Sequence, residues 1–145
     1  TQLYFVANKL YTPSYVSLEL ALNHYSNIPE LVQMITSITT RKTNLFTTPL
    51  GNFSYQSVNE KLFWGYQVTE IKEQKSEIAY LEKTILDYLY LHPEMSEVVA
   101  FESNRWNKNQ LHEQVKLDRL NRFQTIFDNT ALNERVNQLH IYLKN

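Results

Sequence analysis

With 145 residues, 43% of them hydrophobic and 20% charged, and a formal net charge of -1, the chain has the composition of one ordinary globular domain. This balance argues against a disordered tail, and against a dedicated nucleic-acid module, which is usually clearly basic. The lack of cysteine excludes disulfides and thiolate metal sites and fits a reducing cytoplasm, and two glycines leave neither a Walker loop nor a dinucleotide fingerprint.

In chain order, Leu3–Val6 reads as a short apolar strand. Pro13 fixes its own backbone and holds Thr12 extended, and Ser14 or Ser17 can cap a helix running to about Tyr25. The β-branched run Val32–Thr40 reads as a strand. Leu45–Thr48 and Asn52–Val58 read as hairpin arms about Pro49-Leu50-Gly51, with Phe53 and Tyr55 on one face of the second arm. Tyr66–Lys72 is a further strand. The second half turns helical: Ile78, Leu81, Ile85, Leu86 and Leu89 follow helical spacing behind a cap at Ser76, and His92-Pro93 ends that helix.

Two more helices are marked by Leu117, Leu120, Phe123 and Phe127, and by Leu132, Val136, Leu139 and Leu143, the last capped by Asn129 or Thr130. They are expected to form a hairpin against the sheet or on a partner. The expected fold is α+β, a small mixed or antiparallel sheet packed with helices and followed by a helical carboxy-terminal tail. No repeat or linker divides it, so one domain is expected over residues 1–145. No apolar run approaches the roughly 18–20 residues that span a membrane.

Few residues nominate chemistry. Glu70-Ile71-Lys72, alternating on a strand, is half of a restriction-nuclease-like site, in which the carboxylate holds a divalent metal and the lysine assists the attacking water. The other half, an acid on a neighbouring strand, has only Glu19, Glu30 and Glu60 to draw on, all on or beside helices and turns, and a charged edge strand is the better account of the motif. His24, His92, His112 and His140 stand too far apart for a helical metal pair, and no Gly-x-Ser-x-Gly elbow presents a nucleophile. Lys116, Arg119 and Arg122, recurring every three residues, and Arg41 with Lys42 are candidate phosphate contacts. Phe63, Trp64, Arg105 and Trp106 are candidate interface residues, because Trp and Arg are favoured at binding hot spots.

The order of several segments carries more. Ala7-Asn8-Lys9-Leu10-Tyr11-Thr12-Pro13-Ser14-Tyr15-Val16-Ser17 is followed by Ile28-Pro29-Glu30, the Thr-rich Thr36–Thr43, Gly51-Asn52-Phe53-Ser54-Tyr55, Phe63-Trp64-Gly65-Tyr66 and Ile78-Ala79-Tyr80-Leu81-Glu82-Lys83-Thr84-Ile85-Leu86-Asp87. This succession resembles the AbiEi-like antitoxins, bacterial transcriptional regulators of type IV toxin–antitoxin, or abortive-infection, systems. The resemblance runs through Asp87; beyond it only Arg105 and the helical tail are similar. Family members usually begin with a winged helix-turn-helix, for which residues 1–145 leave no room, so the chain is read as the carboxy-terminal effector domain of such a protein.

The resemblance implies a cytoplasmic, non-enzymatic role without cofactor or metal: counteracting a nucleotidyltransferase-type toxin, with direct contact not required, and supporting repression of the operon. Operator DNA would be held through the amino-terminal domain, with self-association in assembly on DNA and no membrane. The alternatives are the nuclease-like site at Glu70 and Lys72 and a plain dimerisation module of a DNA-binding regulator.

Overall fold

The computed structural model describes residues 2–28 and 33–145. It is α+β, as expected. In chain order come α1 (Gln2–Leu10), β1 (Ser14–Val16), α2 (Leu18–His24), β2 (Met34–Thr39), β3 (Asn44–Thr48), β4 (Gly51–Ser57), a 3-10 turn at Glu60–Leu62, β5 (Tyr66–Ile71), β6 (Gln74–Ala79), α3 (Leu81–Leu91), α4 (Val98–Ser103), α5 (Lys108–Gln114), α6 (Leu117–Phe127) and α7 (Thr130–Lys144). The strands form one mixed sheet in the order β3-β4-β2-β1-β6-β5. Strands β2 and β4 run parallel, as do β1 and β6; the other neighbours are antiparallel.

Each sheet face has its own apolar layer. Ile35, Phe53 and Tyr55 meet Tyr4 and Ala7 of α1, and Tyr11 just beyond it, on one side. Tyr15 and Ile38 meet α2, α3 and the later helices on the other. The first segment is therefore helical where a strand was expected: Tyr4 and Ala7, three residues apart, are buried on it, and Tyr11, one residue past its end, continues the buried stripe. Asn8 ties α1 to β6 by accepting from Glu77 N at 2.6 Å and donating to Glu77 O at 3.3 Å.

The hairpin about Pro49-Leu50 and the strands β2 and β5 stand where the sequence put them, although Val32 and the Pro29-Glu30 turn lie outside the described residues. Strand β1 was not expected, and neither was β6. Ser76 is a buried residue of β6 opposite Thr69, not a cap; α3 starts five residues later. Ser17 does stand at the N-cap position of α2, but its hydroxyl makes no cap bond.

Helix α3 is buried all round from Leu81 to Leu89, polar residues included. A helix wrapped on every side needs cover on both flanks. Helices α6 and α7 supply the outer cover: they pack on α3, in place of the expected docking against the sheet. The Arg135 guanidinium holds α7 there by donating to Leu89 O at 2.9 Å. Asn129 caps α7, its Oδ1 accepting from Leu132 N at 2.8 Å. Asn129→Ala is expected to lower stability by about 1 kcal/mol, read from urea midpoints, and Thr130→Ala to change little; the reverse ranking would assign the cap to Thr130.

Candidate functional site

Two polar residues one helical turn apart on α3 point into the interior. Lys83 and Asp87 are i and i+4, their side chains 0% and 1% exposed, with Lys83 Nζ 2.7 Å from Asp87 Oδ1. An ammonium has three hydrogens to give. Here the other two go to Tyr15 Oη at 2.7 Å and Leu62 O at 2.8 Å. The second carboxylate oxygen, Asp87 Oδ2, accepts from Tyr15 Oη and from Ser17 Oγ, each at 2.9 Å. Tyr15 of β1 and Ser17 just after it thus deliver two hydroxyls, the segment after β4 delivers a carbonyl, and α3 delivers the ion pair.

Aromatic rings close the centre. The Lys83 ammonium lies 4.7 Å from the Trp64 ring, 5.1 Å from Tyr15 and 5.2 Å from Phe127, within cation–π range. Tyr66 stacks on Tyr15 at 4.9 Å, and Phe63 meets both edge-on. Gly65 leaves room for the lysine stem: a Cβ there would stand 2.8 Å from Lys83 Cγ.

Burial pushes the Lys83 ammonium down and the Asp87 carboxyl up, and each partner's charge opposes the other's shift. The charged pair is favoured by geometry, because its short bonds satisfy all three ammonium hydrogens and both carboxylate oxygens. Burial, and then Asp87, hold the Tyr15 phenol well above its ordinary value. With every one of these groups engaged and closed to water, the centre works as a clamp joining β1, the Leu62–Gly65 segment and α3.

The residues of the clamp are Tyr15 and Ser17, Trp64 and Gly65, and Lys83 and Asp87. Three sequence segments that lie far apart in the chain therefore meet at one point. No family model, curated protein or solved structure matches the chain.

Glu82, beside Lys83 and 2% exposed, turns the other way. It accepts from Lys116 N at 2.9 Å and from Arg119 at 3.5 Å, fixing the start of α6. This splits the basic stripe expected on α6. Lys116 is the N-cap residue, Arg119 is committed to Glu82 and lies 4.3 Å over the Tyr80 ring, and Arg122 alone stands on the exposed helix face. At the β2–β3 turn, Arg41 lies 4.1 Å over Tyr11, whose hydroxyl donates to Lys42 O; both side chains are exposed.

Among the interface candidates, Trp106 is a correction. It is 3% exposed, edge-on to Phe101 and Tyr88, and its carbonyl accepts from Tyr142 Oη at 2.6 Å. Phe63 and Trp64 are half-buried around the clamp, and Arg105 is exposed in the turn between α4 and α5. The Glu-x-Lys arrangement does not form. Glu70 is on β5 opposite Lys75, whereas Lys72 has left the strand for a turn at φ +50°. Among the described residues, no group of three His, Asp or Glu side chains could hold a metal ion.

Burial raises seven phenols above their ordinary value of 10.0, namely Tyr4, Tyr15, Tyr25, Tyr55, Tyr66, Tyr88 and Tyr142, with Tyr55 and Tyr88 reaching about 12. The unfolded chain then releases these protons first. Their contribution is intact below about pH 10 and is lost as pH climbs through the folded values. Lys83, shifted down, acts in the opposite sense but alone. Urea midpoints should fall steeply above about pH 10, with phenolate absorbance appearing as the chain unfolds. Midpoints that stay flat to about pH 12 would contradict this burial.

Proposed function

We propose that the chain is the effector domain of an AbiEi-like antitoxin and transcriptional regulator, acting by binding and assembly without making or breaking a covalent bond. One observation carries the reading. The segments on which the resemblance rests, Pro13–Ser17, Phe63–Tyr66 and Glu82–Asp87, converge on a single buried ion pair. A succession of motifs that assembles one scaffold supports common descent of that scaffold more than chance similarity does.

In this reading the domain works in the cytoplasm, counteracts a nucleotidyltransferase-type toxin without necessarily touching it, and supports repression through a winged helix-turn-helix on the same protein. The test is growth rescue, with the neighbouring open reading frame expressed with and without residues 1–145. Rescue by this domain alone is the expected result. Failure of both the domain and the full-length protein to rescue would overturn the antitoxin reading and leave a regulator.

A further inference from the structure

A groove of about 730 Å³ opens between α2, the end of α3, and residues of β2 and β4. Its size is that of a compact small-molecule site. The inner wall is apolar and aromatic: Leu22, Met34, Tyr88 and Trp106 line it, with His92 stacked on Tyr88 at 3.9 Å. The opposite wall is hydrogen-bonding, from Thr36, Ser54 and Gln56.

The charge of the groove is one-sided. Glu19 contributes a half-buried carboxylate, and no lysine or arginine is among the described residues that line it. Glu19 has no hydrogen-bond or ion-pair partner among the described residues. Its field reaches the Tyr88 phenol, which burial first, then Glu19 and Glu94, hold at about 12. His92 adds an acceptor. Its Nδ1 is 2.8 Å from Tyr88 O, and a carbonyl can only accept, so the neutral ring keeps a lone pair on Nε2.

The backbone shows that this wall is built. Leu18, a bulky residue, sits at φ +62°, a conformation that an L side chain adopts only when its surroundings impose it. The restraint is a set of bonds across to β2: Ser17 N to Thr36 O at 3.1 Å, Leu20 N to Thr36 Oγ1 at 3.1 Å, and Thr36 Oγ1 to Ser17 O at 2.7 Å. Ser17 Oγ anchors the same turn to Asp87. The strained turn sets Leu18 and Glu19 into the groove.

We infer that this groove binds a small organic cation of the amidine or guanidine class, its planar charged end on Glu19 and its apolar body against Tyr88 and Trp106. A carboxylate without a partner, acceptors on both walls and aromatic faces together fit a donor-rich cation, which gains from both charge pairing and cation–π contact. The inference goes beyond the proposed function and does not depend on it.

The test uses residues 1–145 with benzamidine, its neutral analogue benzamide, and an acetylated pentapeptide with a central arginine, followed by amide and indole NMR resonances. Benzamidine should shift the Trp106 indole and the Leu91 and His92 amides saturably, with benzamide at least about tenfold weaker. Glu19→Gln should weaken benzamidine by about tenfold and leave benzamide unchanged. The carboxylate has no bonding partner among the described residues, so this variant should keep the wild-type melting curve. No saturable shift up to about 10 mM benzamidine, equal binding of benzamide, or an indifferent Glu19→Gln variant would overturn the inference. Preferential binding of the peptide would also overturn it, by making the groove a protein-docking site.

Discussion

Lys83→Met is expected to destabilise the protein by about 3–5 kcal/mol, the cost of stranding one member of a buried ion pair. Methionine fills nearly the same volume, so packing is conserved and the loss isolates the charge. Asp87 would keep two hydroxyl donors, from Tyr15 and Ser17, with no cation to balance it in a site that is 1% exposed. The Leu62 carbonyl and the Tyr15 hydroxyl would each lose a donor. The double variant Lys83→Met/Asp87→Leu should recover most of the loss, because removing both charges also removes the cost of burying them. Its residual defect, about 1–3 kcal/mol, comes from the three polar groups left unmatched. Urea unfolding of the two single variants and the double gives the coupling energy directly. A Lys83→Met variant within about 1 kcal/mol of wild type would show that the pair contributes no more than a surface bridge.

The same series bears on function. If the clamp is scaffold, growth rescue should fall with Lys83→Met and return in the double variant, following stability. Loss of rescue in a stable double variant would give the charges themselves a direct part in activity.

Local pattern revealed the parts of this molecule that local forces decide. The Pro49-Leu50 hairpin, the break at His92-Pro93 and the cap at Asn129 were all legible, since turn chemistry and capping act within a few residues. Strand β6 was misread because its residues lead straight into α3, and Ile78 serves either periodicity. Short helices α4 and α5 escaped because six or seven residues give too little period to detect, although Phe101 and Leu111 are their buried anchors.

The clamp was invisible for a different reason. Lys83 and Asp87 carry no apolar signal, and what buries them is the approach of Tyr15, Ser17, Leu62 and Trp64, all distant in the chain. What the sequence did carry was its trace, in the unexplained order of Pro-Ser-Tyr, Phe-Trp-Gly and Glu-Lys segments. These are scaffold residues, so their likeness to a family speaks first to architecture. The groove beside α2 is joined to the clamp through Ser17 and its neighbour Leu18.

Gly65→Ala is expected to cost about 2–5 kcal/mol, more than any glycine-to-alanine change at an open surface, from two additive sources. The backbone at Gly65 has φ +79°, where a Cβ is disfavoured by roughly 1–2 kcal/mol. The new methyl group would then stand 2.8 Å from Lys83 Cγ, 3.0 Å from Cδ and 3.1 Å from Cβ. These are the root and middle of the side chain, and they have nowhere to go. The ammonium is fixed by its three bonds, and the Trp64 and Phe127 rings lie against it. Nor can Gly65 itself withdraw, since its carbonyl accepts from Tyr80 N at 3.0 Å at the approach to α3. The two sources separate in a Lys83→Ala background, which lacks the clashing Cγ and Cδ. There Gly65→Ala should cost only the backbone strain, about 1–2 kcal/mol, so the two substitutions should be non-additive by about 1–3 kcal/mol. Strict additivity in urea unfolding would mean that Gly65 is required for its conformation alone and that the lysine stem does not press on it.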